Sequence, residues 1–405
     1  MKKVFTYILL SYSIVLFGQE TDPKNQASFE LGSGLNFSLE NGAYKFKLGG
    51  MIQPYMAYEK FEDTPADYFF NARRSYFNFS GALAKDKVDF FLQTDFSLAE
   101  PLLDAWVAYQ PVKELRIIMG QKQTIGNNRE MMIMEDQLQF AGRSLLSTVF
   151  SRSGREFGLF IESKWGSDKF GVVPQIAVTS GDGRNAFGTD SRDVDQGGFK
   201  YAARLDLYPL GFFSEGNGIL IADLAHESSP KLVLGVAASF NDGASHLAGE
   251  GTREFFLYNA LGDVQLPDYR QLYGDLLFKY QGISLLAEYM VATATSLEGA
   301  FVDEVGGIAL VPTEISEYLA LGTAVNVQTG YMTKGGLGVD VRYSALSPEF
   351  ETNVNSLVQE SSAFTAGAVK YFKGNALKLQ IAYTLITREN ATDQGMGELM
   401  LQLIF

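Results

Sequence analysis

The sequence contains no cysteine, which excludes disulfides, thiolate metal sites and lipid attachment at a mature N-terminal cysteine. Histidine is nearly as scarce. The two present, His226 and His246, fall in predicted connections, and neither lies in a recognisable nucleophile context, so each reads as a solvated loop histidine rather than a catalytic base. No enzymatic activity and no cofactor are expected. Positive charge is also short: 33 Lys and Arg stand against 47 Asp and Glu, a balance that argues against nucleic acid as a partner. Long apolar runs are missing beyond the N-terminus. Mean hydropathy is −0.01, and no later segment approaches the roughly 20 apolar residues of a spanning helix.

What the chain has is aromatic residues, 31 Phe and 20 Tyr, which favour strands and membrane interfaces. It also opens on MKKVFTYILLSYSIVLFGQ, where Lys2 and Lys3 precede an apolar run from Val4 to Phe17 and then small or polar residues. That layout predicts an export signal over 1–19, cut after Gly18 or Gln19, with Leu16 where a small residue is usual. The run is shorter than the roughly 20 residues of a membrane anchor. Without the two lysines the mature chain keeps 31 basic residues against 47 acidic ones, near −16. A segment over 20–43, in which FELGSGLNFSLE (29–40) reads either as an initial strand or as a piece folded inside a mouth, then leads into a body over 44–405.

Through that body, segments of about ten residues place apolar side chains at every second position, as expected where one face meets lipid and the other water. In KVDFFLQTDFS (87–97), Val88, Phe90, Leu92 and Phe96 oppose Asp89, Gln93 and Asp95; in ELRIIMGQK (114–122), Leu115, Ile117 and Met119 oppose Arg116 and Lys122. About sixteen such strands can be marked, an even number suited to a closed antiparallel barrel. Tight links at Ala84-Lys85, Gly166-Ser167, Gln281-Gly282, Thr333-Lys334 and Gly374-Asn375 alternate with long connections at 59–68, 123–153, 181–196, 241–267, 295–315 and 346–361. Short turns on one side and long loops on the other is the asymmetry of a transmembrane β-barrel in a bacterial outer membrane. The connection 209–230 breaks the rule by being long on the short-turn side, and holds either an extra element or a shift of register. The final segment alternates to the end and stops at Phe405, a terminal aromatic that suits a closing strand and an assembly signal read by the barrel-assembly machinery.

The stretches FNARRSYFNFSGAL (70–83), DFFLQTDFS (89–97), LLDAWVAYQP (102–111) and LRIIMGQKQ (115–123) resemble the phosphate-selective porin O and P family of Bacteroidetes-like bacteria. The likeness is clearest over 68–165 and thinner onward to 405. On this resemblance Arg73 and Arg74 open the second strand, Asp104 to Trp106 lie in a following one, and Gly120 to Lys122 end the strand before a constriction loop. The resemblance implies a sixteen-stranded barrel, often a homotrimer, with a loop folded into the lumen. The residues agree, since the loop 123–153 carries Met131, Met132 and Met134, too apolar to stand in water, together with Arg129, Arg143 and Arg152. Packing on a neighbouring subunit is the other reading of that loop.

With the apolar register outward, Arg74, Arg116, Lys122, Lys200, Arg204, Lys279, Arg342 and Lys378 face the lumen, as do Asp89, Asp95, Asp104, Glu156, Glu162, Asp206, Asp275, Glu288, Asp340 and Glu398. Neither sign dominates. The path of a solute is expected to pass Arg74, Arg116, Lys122, Arg129, Arg143, Lys200, Arg204 and Arg342, with Asp89, Asp95, Asp104 and Glu156 as counter-charges on the wall. Phosphate preference rests on the resemblance alone. Asp190, Asp193 and Asp195 could ligate Ca²⁺ but lack a full loop signature, so a hydrated acidic turn is the expected state and no metal site is assigned. Three functions follow in order: passive diffusion of small anions or polar solutes across the outer membrane; a barrel with a largely closed lumen serving as a structural or partner-binding subunit; and a soluble β-protein of the envelope.

Overall fold

The computed structural model describes residues 24–405 apart from 153, 182, 185–196, 250–253, 296–298, 308 and 390. The predicted export signal and the aspartates at 190, 193 and 195 therefore lie outside the described residues. A hairpin of β1 (Gln26–Glu30) and β2 (Gly34–Leu39) leads into β3 (Tyr44–Phe61). Then come β4 (Asp67–Leu83), β5 (Val88–Asp95), β6 (Leu102–Val112), β7 (Leu115–Gln123), β8 (Arg155–Ser163), the short β9 (Trp165–Gly166) and β10 (Gly171–Thr179). The second half is β11 (Lys200–Tyr208), β12 (Lys231–Asn241), β13 (Asp268–Tyr280), β14 (Ile283–Thr295), β15 (Gly322–Met332), β16 (Leu337–Pro348), β17 (Ser361–Lys373), β18 (Leu377–Arg388) and β19 (Gln394–Ile404).

Sixteen of these, β3 to β8 and β10 to β19, pair antiparallel in chain order. β19 returns to β3, with Met400 opposite Tyr55 and Ile404 opposite Met51, so the sheet is a closed barrel. Closure satisfies every wall strand on both edges, the condition for crossing hydrocarbon with strands. Among the described residues no helix is long and apolar enough to cross a membrane. The tight turns form where the chain tolerates left-handed backbone: Ala84, Lys85 and Asp86 have φ of 53°, 59° and 65°, and Gln281 and Gly282 have 47° and 89°. Residues 29–40 belong to the β1–β2 hairpin, whose Phe37 pairs with Phe46 of β3. It extends the wall, and of the two readings open for this segment the structure takes the initial strand.

Burial is inverted relative to a water-soluble protein. Outward-facing Val107, Met119, Ile176, Leu272, Val339 and Ile381 are all more than half exposed. Inward-facing Gln53, Glu156, Lys200, Asn326, Lys378 and Gln402 are at most 1% exposed. Aromatic side chains border the apolar belt on both rims: Tyr68 and Phe70 by the long loops, and Tyr109, Trp165, Phe170 and Phe372 by the turns. Such girdles stand where hydrocarbon gives way to headgroups.

Phe405 closes the seam. Its N–H donates to the Gly50 carbonyl at 2.9 Å, and the Gly50 N–H donates to the Phe405 carbonyl at 2.6 Å. Deleting Phe405 removes both bonds beside the last rungs of the β19–β3 ladder. The expected result is a lower yield of folded barrel, read as a smaller heat-modifiable fraction on a denaturing gel.

Candidate functional site

The connection between β7 and β8 does not stand in solvent. It enters the lumen as α1 (Arg129–Met132), a 3₁₀ turn over Glu135–Gln137 and α2 (Leu145–Phe150). Ser144 caps α2, its Oγ accepting from the Ser147 N–H at 3.3 Å. The Glu130 carboxylate holds the two helices together, accepting from the Ser144 N–H at 2.9 Å and from the Ser144 and Ser147 hydroxyls at 2.6 Å each. Burial pushes the Glu130 carboxyl up, but Arg342, Arg143 and these hydroxyls outweigh it and hold it below the ordinary carboxylate value.

Charged latches tie the loop to the wall. Arg129 donates to Asp275 at 2.6 Å and Asp206 at 2.7 Å, while Arg204 donates to the same two carboxylates at 2.5 and 3.0 Å. The ring of four charges lies against Gly235 on β12, where a Cβ would overlap Arg204, Asp275 and Arg129. Overpacking of this kind costs about 1–3 kcal/mol, so Gly235→Val is expected to loosen the loop, read as faster proteolytic cleavage within 123–153 in the folded barrel.

Further along, Gln139 donates to Asp340 at 2.6 Å, and Lys378 donates to the Asp136 and Leu138 carbonyls at 2.7 and 3.0 Å. Arg74 reaches the Ala141 carbonyl at 3.3 Å. The loop is thus bonded to opposite sides of the barrel. Arg143 binds the Glu130 carbonyl, the Ile133 carbonyl at 2.9 Å and Glu135 at 3.1 Å. Arg155, at the start of β8, bridges Glu135 at 3.1 Å and Asp104 at 2.9 Å. Burial raises the Glu135 carboxyl, yet Arg155 and Arg143 more than offset it and hold the group well below the ordinary range.

Two further fillings occupy the β11–β17 half of the lumen. On the long-loop side, Leu247, Leu257, Leu310, Ile315, Leu319 and Val358 form one apolar core with Leu146 and Phe150 of α2 and with Tyr269, Tyr273 and Met290 of the wall. On the short-turn side the connection 209–230 folds inward with no strand or helix of its own. The exception to the turn rule is therefore an inserted segment rather than a register shift. Lys279 holds it, donating to the carbonyls of Asn217 at 2.5 Å, Leu220 at 2.8 Å and Ala222 at 3.0 Å. Ile221 packs with Ile133 and Leu138 of the lumen loop, so the two inserted segments meet.

Space remains along β3 to β6. A cavity of about 470 Å³ is lined by Arg73, Arg74, Arg143, Arg152, Arg155 and Arg184, with Asp95, Glu100 and Glu135 as its carboxylates. Tyr76 also lines a second cavity of about 220 Å³, together with Asn78, Ser80, Gln93 and Phe405. Lys47, Ser80 and Phe91 continue into a third of about 570 Å³, which reaches Ala82, Asp89 and Trp106. The order of lining residues along β4, from Arg73 through Tyr76 and Ser80 to Ala82, sets the three cavities in series from the long-loop side to the short-turn side.

Of the expected path residues, Arg74 and Arg143 line the arginine cavity, and Asp95 does so among the counter-charges. Asp104 lies behind it as the partner of Arg155. Arg116 pairs with Asp89 and lies 4.8 Å over the Trp106 ring, beside the third cavity. Lys122 binds Glu162 at 2.5 Å over Phe160. The structure does not bring Lys200, Arg204, Arg129 or Arg342 into these cavities. Lys200 and Glu156 are both fully buried, 2.6 Å apart, and the others are committed to the loop latches. Arg155 and Arg184 escaped the sequence reading. Strict alternation from inward Glu156 would turn Arg155 outward, but the chain leaves the lumen there through Gly154, at φ 66°, and alternation does not yet apply. Arg184 lies in a connection, where no period exists to read.

A closed sixteen-stranded antiparallel barrel with an apolar belt, short turns on one side and an inward-folded loop after its fifth wall strand is the fold of outer-membrane porin-type barrels. Solved structures agree at the level of the fold. OmpT, an outer membrane protein of Vibrio cholerae in its trimer form, superposes with a TM-score of 0.53 at 10% identity, over 90% of this chain and all of that one. OprB of Pseudomonas putida gives 0.51 at 10% identity, over 90% of this chain and 94% of its own. No family model and no curated protein matches the sequence.

Proposed function

We propose that the chain is an outer-membrane porin, delivered by a cleaved export signal, through which small anions and polar solutes diffuse passively along β3 to β6. The observation that carries this reading is the arginine-lined cavity: six guanidinium groups face three carboxylates where the lumen is narrowed. In a constricted, poorly hydrated passage such an excess attracts anions and repels cations. The path residues are then Arg73, Arg74, Arg143, Arg152, Arg155 and Arg184, with Arg116 and Lys122 nearer the turn side. Lys200, Arg204, Arg129 and Arg342 act by holding the wall and the loop. The resemblance of residues 68–165 to the phosphate-selective porin O and P family supports the anion reading and points to oxyanions. The trimer form of the Vibrio cholerae neighbour supports a homotrimer, and the seam at Phe405 supports recognition of β19 by the barrel-assembly machinery.

The loop's bonds to opposite walls favour a second reading, a closed barrel with a structural or partner-binding role. Liposome swelling over solutes of increasing size separates the two. Diffusion predicts swelling with glycine-sized solutes that falls steeply with size. A heat-modifiable, correctly folded barrel that gives neither swelling nor bilayer conductance would leave only the closed-barrel reading.

A further inference from the structure

We infer that the arginine cavity binds organic carboxylates that carry an apolar body, and does not serve inorganic oxyanions alone. The inference rests on the anion reading above and names its solute class. Size is the first argument. About 470 Å³ falls in the range of roughly 300–1,000 Å³ occupied by small-molecule sites, several times what an ion of five heavy atoms fills.

The lining is the second argument. Besides the guanidinium groups the cavity lining includes Leu98, Leu103, Met131 and the Tyr76 ring. Leu98, on the β5–β6 connection, keeps 42% of its surface exposed beside these charges. An inorganic anion would leave that flank wet, whereas a carboxylate with a phenyl or alkyl body covers it while its charged end meets the arginines.

The third argument is which cations remain available. Arg143 and Arg155 are already bonded to Glu135, and Arg74 to Gln53 and the Ala141 carbonyl. Arg73 lies 5.2 Å over the Tyr55 ring, Arg184 is a loose 3.7 Å from Glu100, and Arg152 is exposed. Those three leave donors for one carboxylate, next to the apolar flank.

Planar bilayers test this with the whole protein, through the concentration of potassium benzoate or potassium phosphate that halves the chloride current at constant ionic strength. Benzoate is expected to do so at a concentration about fivefold lower than phosphate. Leu98→Asn should erase that advantage and leave phosphate block unchanged, and Leu98→Met should restore it. Phosphate blocking as well as benzoate, or a benzoate response indifferent to Leu98→Asn, would overturn the inference while leaving an anion channel intact. Cation preference in a chloride gradient would instead remove the anion reading on which it stands.

Discussion

Replacing residues 128–150 by a short Gly-Ser linker is expected to raise single-channel conductance several-fold, the largest change any single alteration of this barrel should produce. These residues hold the barrel's lumen connections: Arg129 to β11 and β13, Gln139 to β16, the Asp136 carbonyl to β18 and Ala141 to β4. They also supply Leu146 and Phe150, the floor on which the loop core over β12 to β16 rests. Without them a barrel of this strand number has the girth of an aqueous channel. The wall should survive, because its ladder runs strand to strand and β19 closes on β3 without the loop. Heat-modifiable migration checks that the deletion still folds, and an unchanged conductance in such a protein would mean that the loop is not what narrows the lumen.

The second large effect is expected at Arg155→Gln. Arg155 and both carboxylates it binds, Asp104 and Glu135, expose less than a tenth of their side chains. Removing one member of such a buried cluster leaves uncompensated charge, at a cost of about 3–5 kcal/mol. The loop should detach intermittently, seen as current noise, and the anion-to-cation permeability ratio should fall. Asp104→Asn in the same background removes the carboxylate that loses its partner, since Glu135 keeps Arg143, and should recover part of the quiet current, a coupling measurable as a double-mutant cycle.

The pH dependence follows from the same group. Because Glu135 is held below its ordinary value of 4.5, its contribution to docking is fully present above that value and fades only as pH falls through the lowered one. Glu135 should therefore contribute no change of conductance or noise between about pH 7 and pH 5, and Glu135→Gln should leave any titration within that window in place. Noise rising already near pH 6 would show that a different group governs the latch.

How far the sequence could be read differs between wall and lumen. The wall was legible because alternation is a local property: Leu115, Ile117 and Met119 against Arg116 and Lys122 suffices to orient β7 without knowing its neighbours. The lumen loop was legible as a location, since its methionines require cover, but not as a shape. Arg129 meets Asp275 across 146 positions of sequence, and no spacing rule reaches that far. Alternation also reports direction and not access. Lys200 alternates with exposed Tyr201, yet it is fully buried and paired with Glu156. The segment 209–230 announced itself only by its length on the wrong side, and its burial depends on Lys279, an inward residue on a strand some fifty positions later.

The central claim is that solutes cross along the arginine-lined face of β3 to β6, and one number tests it most directly. In a planar bilayer separating concentrated from dilute potassium chloride, the zero-current potential reports which ion crosses more easily. An anion-preferring lumen predicts a potential with the sign of chloride diffusing down its gradient, moving toward zero in the Arg73→Gln/Arg152→Gln double variant. A potential of the opposite sign, or one that the double variant leaves in place, would contradict the account.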